Sequence, residues 1–487
     1  MTQRLVVGPF NRVEGDLEVQ LDIADGAVQS ARVVSPMYRG FENMLAGRPP
    51  HDALVIVPRI CGICSVSQSV AAARALADAA GIAPPPNGQH AINLMLATEN
   101  AADHLAHFYL FFLPDFTRDV YAARPWFGEA QRRFAALAGE QARKAVAARQ
   151  RWFELMGTLG GKWPHTQSVL PGGSSRAIEP AERLRLLARV REFRAFLERE
   201  LYAAPLEAVL ALDSLDALER WHADDPMRGD FRLWLTIAAE LGLDTLGRGP
   251  GRLLSFGAWT QADGTPAWAR GLWLEGEAHA VAVDEGTIAE DATHAWLAEG
   301  TDGPRHPRHG LTLPVADKPA GYTWNKAPRL AGQVVETGAM ARQAVAGHAL
   351  VRDALARRGS SVFTRVLGRL LELAAIVPRM EAALAALVPR EPFFVPDALP
   401  DDAEGHGLAE AARGALGHWL RLEGGRIANY QIVAPTSWNF SPRDAAGTPG
   451  ALEAALVGAP VQAGETTPVA VQHIVRSFDP CMVCTVH

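Results

Sequence analysis

The four cysteines are the residues of this chain whose type and spacing best suit chemistry. They form two Cys-x-x-Cys pairs, Cys61 with Cys64 and Cys481 with Cys484, almost at opposite ends of 487 residues. Clustered thiolates favour zinc, iron–sulfur, nickel or copper over magnesium or calcium. Zinc ribbons keep their two pairs roughly 15–20 residues apart. The spacing therefore leaves three alternatives open: a catalytic metal centre, a structural zinc site, and redox-active or independent thiols.

The composition is that of an ordinary globular protein, with 48% hydrophobic residues and a formal net charge of -7. Nothing in it suggests binding to nucleic acid or to an anionic membrane. The N-terminal stretch lacks the features of a secretory signal, so we expect a cytoplasmic protein. The most apolar stretch, residues 94–116, contains Glu99, Asp103, His104 and His107. It is predicted to be a buried helix whose polar side chains have partners.

Hydrophobic periodicity and turn residues predict an α+β fold that is mostly helical. Residues 17–35 alternate around Asp25-Gly26, which is typical of a β-hairpin. Helices are predicted in RGFENMLAGRPP and at 65–81, 87–113, 127–161, 179–202 and within 331–389. We expect one domain over residues 1–487, made of an N-terminal β portion at about 4–36, a helical core at about 87–203 and 331–389, an irregular insert with small strands at about 248–330, and a C-terminal metal-binding segment at about 404–487.

The cysteine motifs, read with their flanks, indicate a family. RICGIC together with DPCMVCTVH resembles the large, catalytic subunit of nickel–iron hydrogenases. Further stretches of that family occur in the same order: NRVEGDLEV, RGFE, DHLAHFY, GGKWPHTQSVLPGG, YTWNKAPRLAGQVVETGAMAR, EAARGALGHW and NYQIVAPTSWNFSPRD. The resemblance implies that family's fold, with a long-helix bundle core. A remote alternative is the related complex I subunit class, stabilised here by a four-cysteine zinc site, but that relative does not keep all four cysteines.

The resemblance implies a nickel atom held by all four thiolates. Two of these also bridge to an iron that carries one carbon monoxide and two cyanides. By motif position, Cys61 and Cys481 would be terminal ligands of nickel, whereas Cys64 and Cys484 would bridge the two metals.

Several polar residues match functional positions of the family. Glu14 matches the proton relay beside a terminal cysteine, and Arg413 matches the cation over the open side of the metals. Asp103 and Asp479 match the acids that orient this arginine, and Thr436 matches the hydroxyl that hydrogen-bonds a cyanide.

Two substitutions stand out near these residues. Asp16 replaces a commoner histidine, and we assign it no role; Ala412 replaces a proline that usually precedes the arginine and would stiffen the loop.

A second metal is also implied, usually Mg²⁺. Glu42 and His487 match its side-chain ligands, and a backbone carbonyl near Ile432 or Val433 with waters would complete the octahedron. The remaining motif histidines, His107 and His165, are as well explained by hydrogen bonds in the core, and His104 has no stronger claim.

The implied reaction is the reversible conversion of H2 into protons and electrons. H2 would split heterolytically, with the proton passing to the Cys481 sulfur or to Arg413 and then to Glu14. All four cysteines are used at this site, so none remains to bind an electron-transfer cluster. A separate small subunit with iron–sulfur clusters is therefore expected as an obligate partner.

Three departures from the family favour an H2 sensor of low turnover that signals to a histidine kinase. Gln68 stands where most members have histidine. Ile63 and Phe111 stand where valine and leucine are common. In the family these two positions line the route by which gas reaches the metals, so the larger side chains here would narrow that route. The sequence also ends at His487, so we expect a gene product without the C-terminal extension that a protease removes from most members. An energy-conserving uptake enzyme is the alternative.

Overall fold

The computed structural model describes residues 3–300 and 303–485. The chain begins with an antiparallel sheet, in spatial order β1-β2-β3, formed by the strands Gln3–Val7 (β1), Glu18–Ala24 (β2) and Ala27–Val34 (β3). Asp25 and Gly26 turn the chain with φ of 53° and 72°, which these residue types tolerate well. Alternate side chains of β2 are buried. The predicted hairpin is therefore confirmed.

Helices follow the sheet and form most of the first half of the chain. They are Phe41–Leu45 (α1), Ala53–Ile56 (α2), Ser65–Ala80 (α3), Pro86–Ala106 (α4), Phe127–Phe134 (α5), Glu140–Trp152 (α6), Glu154–Gly160 (α7), Pro180–Phe196 (α8), Leu206–Leu210 (α9), Leu215–Ala223 (α10) and Gly229–Leu241 (α11). Two short paired strands, Val169–Leu170 (β4) and Gly173–Ser174 (β5), separate α7 from α8.

The prediction of one helix over residues 127–161 is wrong, because the segment is divided into α5, α6 and α7. The main break follows Phe134, where Leu137 adopts φ of 62°. A Cβ at Gly139 would lie 2.4 Å from the carbonyl oxygen of Arg133, so the chain folds back on itself here. Leu137 gives no sequence signal for such a turn.

Residues 248–330 are irregular with short strands, as expected. The strands here and just beyond are Arg252–Ser255 (β6), Ala258–Thr260 (β7), Pro266–Trp268 (β8), Gly271–Leu274 (β9), Ile288–Asp291 (β10), Ala327–Leu330 (β11) and Glu336–Thr337 (β12). The stretch HAVAVD contributes only a bridge between Val281 and Leu272.

Three helices then complete the helical core: Ala339–Ala346 (α12), Ala349–Arg358 (α13) and Val362–Ala386 (α14). The 25-residue α14 packs against α4, α8 and α12, and almost all of its first half is buried. It is the long central element that the predicted bundle required.

The C-terminal part contains a second three-stranded antiparallel sheet that the sequence analysis did not predict. Its strands are Ala403–Ala411 (β13), Gly414–Glu423 (β14) and Arg426–Val433 (β15), followed by the helices Pro435–Asn439 (α15), Ala451–Leu456 (α16) and Val469–Ser477 (α17). Strand β13 lies directly on α3. A Cβ at Gly407 would lie 1.9 Å from the carbonyl oxygen of Ala71, and one at Gly405 2.2 Å from that of Ala75. Glycine is needed because the strand touches the helix backbone.

None of the helices within the described ranges 3–300 and 303–485 is both long enough and apolar enough to cross a bilayer.

Candidate metal centre

The fold brings the two distant cysteine pairs together. The four Sγ atoms all lie within 4.8 Å of one another, and all four residues are buried. Sγ–Sγ distances are 3.3 Å for Cys61–Cys481, 3.3 Å for Cys64–Cys484 and 2.8 Å for Cys481–Cys484. Hydrogen bonds from the other three thiols, that of Cys481 first, hold the pKa of Cys61 well below its ordinary value. Such a cluster suits a soft metal ion.

The first pair is fixed by the start of α3. Cys64 is the N-cap residue of this helix, and the first backbone N–H groups beyond it have no partner within the helix. The buried carboxylate of Glu99, on α4, accepts from the N–H groups of Val66 (2.8 Å) and Ser67 (2.9 Å). Burial raises the pKa of Glu99 to about 7, although these hydrogen bonds oppose the shift. Glu99 thus joins α4 to the helix end that carries Cys64.

The second pair is held by the N-terminal segment. Glu14 and Cys481 form a parallel β-bridge, in which the N–H of Met482 donates to the carbonyl oxygen of Glu14 (2.7 Å). Gly15 has φ of 77°, and a Cβ there would lie 2.8 Å from the side chain of Val483. The glycine of the RVEGD motif therefore allows the close approach of the two chain ends.

Arg39 ties the two cysteine loops to each other. Its guanidinium donates to the carbonyl oxygen of Ile60, just before Cys61, and to that of Val483, just before Cys484 (2.6 Å for the second bond). One side chain thus sets the distance between the two Cys-x-x-Cys turns.

The Glu14 side chain is half-buried at the edge of the cluster. Burial and the nearby charge on Cys61 raise its pKa, whereas the positive charges of Arg413 and Arg39 act in the opposite direction. A carboxyl group with a raised pKa, close to a thiolate, is suited to accepting and releasing a proton.

Arg413 occupies the tight turn between β13 and β14 and is buried, with 2% exposure. It donates to the backbone oxygen and to a carboxylate oxygen of Asp479, both at 3.0 Å, and its Nη1 lies 2.9 Å from Asp103. Burial raises the pKa of Asp103 to about 8. Burial is the largest single influence on Asp479 and acts to raise its pKa, but the positive charges around it, that of Arg413 foremost, together outweigh burial and lower the pKa. The structure thus places both predicted acids against the predicted arginine.

A second arginine stiffens the turn that carries Arg413. Arg342 donates to the carbonyl oxygens of Ala411 (2.7 Å) and Ala412 (3.0 Å). It is itself held by the buried carboxylates of Glu372 and Glu410, each at 2.6 Å. The rigidity that a proline at position 412 would provide comes here from this cluster.

Of the other predicted residues, Thr436 and Gln68 are buried, whereas Ile63 and Phe111 are partly exposed. The hydroxyl of Thr436 accepts a hydrogen bond from the N–H of Cys481 (3.2 Å), and Gln68 is fully buried one helical turn after Cys64.

Glu42 is buried beside β15, and the structure shows several of its partners. One carboxylate oxygen accepts from the N–H of Ile432 (2.8 Å), the other accepts from the hydroxyl of Thr312, and the ammonium of Lys326 is 3.7 Å away. His487, the other predicted ligand of the second metal, lies outside the described residues. The role of Glu42 as a metal ligand stays a prediction.

The three motif histidines are all engaged in hydrogen bonds within the chain: His104 with Glu372 (2.9 Å), His107 with the carbonyl of Arg476 (2.7 Å) and His165 with the carbonyl of Pro58 (2.9 Å). Burial lowers the pKa of His107 to about 3, so it is neutral at ordinary pH. These contacts fit the interpretation of the three histidines as hydrogen-bonded core residues. The contact of His104 also agrees with the expectation that the polar side chains of α4 have partners.

Buried polar atoms around the cysteines test whether a nickel–iron group fits. Nε2 of Gln68, Oδ1 of Asp103 and Oδ2 of Asp479 are buried and make no hydrogen bond within the described chain, and Nη1 of Arg413 has the Asp103 carboxylate 2.9 Å away but no hydrogen bond of good geometry. Such atoms are costly unless something else satisfies them. Two of them are N–H donors beside a four-thiolate set, which matches a soft metal group that carries hydrogen-bond acceptors. The residues present therefore fit the group.

Comparison with known proteins agrees with this fit. The family model described as nickel-dependent hydrogenase matches residues 39–144 and 233–487. The chain is 30% identical, over 99% of its length and 95% of the relative, to the periplasmic NiFeSe hydrogenase large subunit of Desulfomicrobium baculatum. It is 28% identical, over 100% of its length and 95% of the relative, to the uptake hydrogenase large subunit of Rhodobacter capsulatus.

Solved structures give the same result. The H2-activated NiFeSe hydrogenase of Dm. baculatum superposes with a TM-score of 0.87 at 28% identity, covering 100% of both chains. The reduced NiFeSe hydrogenase of D. vulgaris Hildenborough superposes with a TM-score of 0.85 at 30% identity, again over 100% of both chains. The protein belongs to the nickel-dependent hydrogenase family, as a large subunit. The predicted fold and the prediction of a hydrogenase, an oxidoreductase acting on H2, are thereby confirmed.

Sequence reasoning missed several residues that shape the site. Arg39, Arg342 and His418 stood inside motifs that matched the family, yet no role was assigned to them. For Arg39 the signal was weak, because it donates to backbone carbonyl groups, which every sequence has, and for Arg342 it was weak because its carboxylate partners, Glu372 and Glu410, lie 30 and 68 residues away. Glu99 was recognised as a buried carboxylate, but its position at the start of α3 could not be read from the sequence.

Proposed function

We propose that this chain binds a nickel–iron centre through Cys61, Cys64, Cys481 and Cys484 and cleaves H2 heterolytically, with residues 1–487 folded as one domain around it. The observation that carries the proposal is the convergence of four buried thiols at one point beneath a buried arginine. When bound, the centre, with one carbon monoxide and two cyanides on iron, supplies the soft metals that polarise and split H2. Cys64 and Cys484, whose sulfur atoms are 3.3 Å apart, would be the two thiolates that hold iron as well as nickel.

The surrounding residues hold charge and move the proton. Arg413 carries a fixed positive charge over the site, and Asp103 and Asp479 keep its planar side chain in one orientation. The proton released from H2 passes to the sulfur of Cys481 or to Arg413, and then to Glu14. The pairing of Glu14 with Cys481 supports this route, since it fixes donor and acceptor segments side by side. The Thr436 hydroxyl accepts a hydrogen bond from the Cys481 N–H, and its own hydrogen would be donated to a cyanide.

Electron transfer requires a partner, because all four cysteines of the sequence belong to the cluster. We propose a small subunit that carries iron–sulfur clusters and forms an obligate heterodimer with this chain. A second divalent cation, Mg²⁺, is proposed at Glu42 and His487; the buried carboxylate between β15 and Lys326 supports this position.

Metal analysis and infrared spectroscopy test the central proposal. The purified heterodimer should contain nickel and iron, and its infrared spectrum should show one carbonyl and two cyanide bands. Replacing Cys64 with serine should abolish these bands, because a hard hydroxyl is a poor substitute for a bridging thiolate. A preparation that contains zinc only and lacks the bands would refute a nickel–iron site.

Within the family we propose the sensor role, with low turnover, a histidine kinase as signalling partner and a cytoplasmic location. Gln68, Ile63 and Phe111 support it through their departure from the commoner residues. An energy-conserving uptake enzyme is the second candidate, favoured by relatives such as the Rhodobacter capsulatus uptake hydrogenase.

Widening the gas route distinguishes these roles. The double variant Ile63→Val, Phe111→Leu should be inactivated by oxygen faster than the parent, because smaller side chains leave more room for diffusion to the metals. The measurement is residual H2 oxidation after timed exposure to air. A control pair with the same volume change, Ile82→Val with Phe127→Leu, changes partly exposed residues elsewhere. Equal oxygen tolerance in the parent and the first variant would remove this support for the sensor role.

A further inference from the structure

The two chain segments that meet beside the cysteine cluster turn in the same way just before they meet. Glu14 and Cys481 pair in the parallel β-bridge, and the residues two positions before them, Arg12 and Asp479, have left-handed backbones with φ of 57° and 56°. Positive φ is uncommon in residues other than glycine, and it persists where neighbouring groups hold the residue in place. A strained turn therefore leads into the bridge from each side, and each turn needs an anchor.

Charged side chains anchor both turns. Asp479 is held by Arg413, which donates to its backbone oxygen and to its carboxylate at 3.0 Å each. Arg12 is held by Asp115, a fully buried residue in the stretch that follows α4. One terminal nitrogen of the Arg12 guanidinium donates to the carboxylate of Asp115, and the other donates to the carbonyl oxygen of Phe111 (2.9 Å). The turn before Glu14 thus depends on a carboxylate to which the proton route assigns no part.

The same carboxylate also holds the segment that leads to the second cysteine pair. Arg476, in the last turn of α17 and five residues before Cys481, donates to both carboxylate oxygens of Asp115 (2.9 and 2.7 Å). The other terminal nitrogen of Arg476 donates to the backbone and side-chain oxygens of Asn11 (3.0 and 2.7 Å). Arg476 and Asp115 are 1% and 0% exposed. One buried carboxylate therefore connects the N-terminal segment to the segment that carries Cys481.

We propose that Asp115 and Arg12 are positioning residues that set the place of the Glu14 side chain against Cys481. The inference rests on the proposed function, in which Glu14 receives the proton released from H2. The β-bridge fixes only the backbone at position 14. The left-handed turn at position 12 sets the direction in which the chain enters this bridge, so a relaxed turn moves the carboxyl group relative to the sulfur. A displacement of 1 Å at a reacting group can cost about 10²-fold in rate.

H/D exchange of H2 by the intact, metal-loaded heterodimer tests the anchor. Arg12→Ala should slow exchange by about 10- to 10²-fold, because alanine disfavours positive φ and cannot bind Asp115. Arg12→Lys keeps a cation for Asp115 and should recover most of the parental rate. Arg12→Gly lacks the cation, but glycine adopts positive φ freely, so it should exchange faster than Arg12→Ala. The matched control is Arg390→Ala, at another positive φ (70°) in an exposed turn, which should exchange at the parental rate.

The Glu14→Gln background separates positioning from general damage to the fold. If Arg12 acts through the Glu14 carboxyl group, Arg12→Ala should slow exchange in the parent and have no further effect in Glu14→Gln. Equal slowing in both backgrounds would overturn the proposal, as would an Arg12→Lys or Arg12→Gly variant that exchanges no faster than Arg12→Ala. Parental exchange in Glu14→Gln, or a parent without the carbonyl and cyanide bands, would instead refute the proposed function on which the inference rests.

Discussion

The Glu14→Gln variant should load its metals normally yet exchange H2 with solvent deuterium about 10²–10⁴-fold more slowly than the parent, the range typical of a lost general acid–base group. Glutamine has almost the shape of glutamate but cannot accept the proton that leaves the cluster. H/D exchange measured by mass spectrometry reports this step without requiring electron transfer to a partner.

The structure explains why the metals should stay in place in this variant. Glu14 holds the Cys481 segment through backbone atoms, with the N–H of Met482 donating to its carbonyl oxygen, and the substitution leaves these atoms unchanged. The infrared bands should therefore stay near their parental positions. Glu18→Gln, on β2, is a matched control and should exchange at the parental rate. Parental exchange in Glu14→Gln would show that the proton leaves by another route.

The Arg342→Met variant should lose about 3–5 kcal/mol of unfolding free energy, the usual cost of removing one partner from a buried ion pair. Arg342 is fully buried and joins Glu372 to Glu410, so its loss leaves two buried carboxylates without their counter-ion. It also frees the carbonyl oxygens of Ala411 and Ala412, which lie directly before Arg413. We therefore expect lower H2 turnover as well as lower stability.

Denaturant unfolding and limited proteolysis measure the stability change. The control is Arg352→Met, since Arg352 also donates to two backbone carbonyl groups but is only partly buried and has no carboxylate partner among its hydrogen bonds in the described chain. Arg352→Met should lower the unfolding free energy by less than Arg342→Met does. If the two variants unfold at the same denaturant concentration, the charge cluster is not what stabilises the Arg413 turn.

Local signals in the sequence were sufficient for some elements. The Asp25-Gly26 pair predicted the first hairpin because both residues tolerate positive φ. Gly81 marked the end of α3, and it adopts the left-handed conformation expected of such a cap. In each case the information lies within a few residues of the feature that it determines.

The missed sheet depends on distant contacts instead. Strand β13 contains glycine and alanine, which are poor strand formers, and its sequence is explained only by the backbone of α3 lying against Gly405 and Gly407. The same limit applies to the site. The cysteines could be predicted as metal ligands once their spacing was read with the flanking motifs, whereas Arg39 and His418 acquire their positions from segments hundreds of residues away.

The β-bridge between Glu14 and Cys481 also has a consequence for the order of biosynthesis. Cys61 and Cys64 contact partners 420 residues further along the chain, so the first pair leaves the ribosome long before the second pair exists. Helices α3 and α4 can form while Cys61 and Cys64 are the only two of the four cysteines that have been synthesised. The segment with Cys481 and Cys484 can pair with Glu14 only after it has been synthesised, and in the folded chain it does so through a parallel β-bridge. The four thiols can therefore meet only after Cys484 has been synthesised, and the pairing of Glu14 with Cys481 brings the second pair to the first.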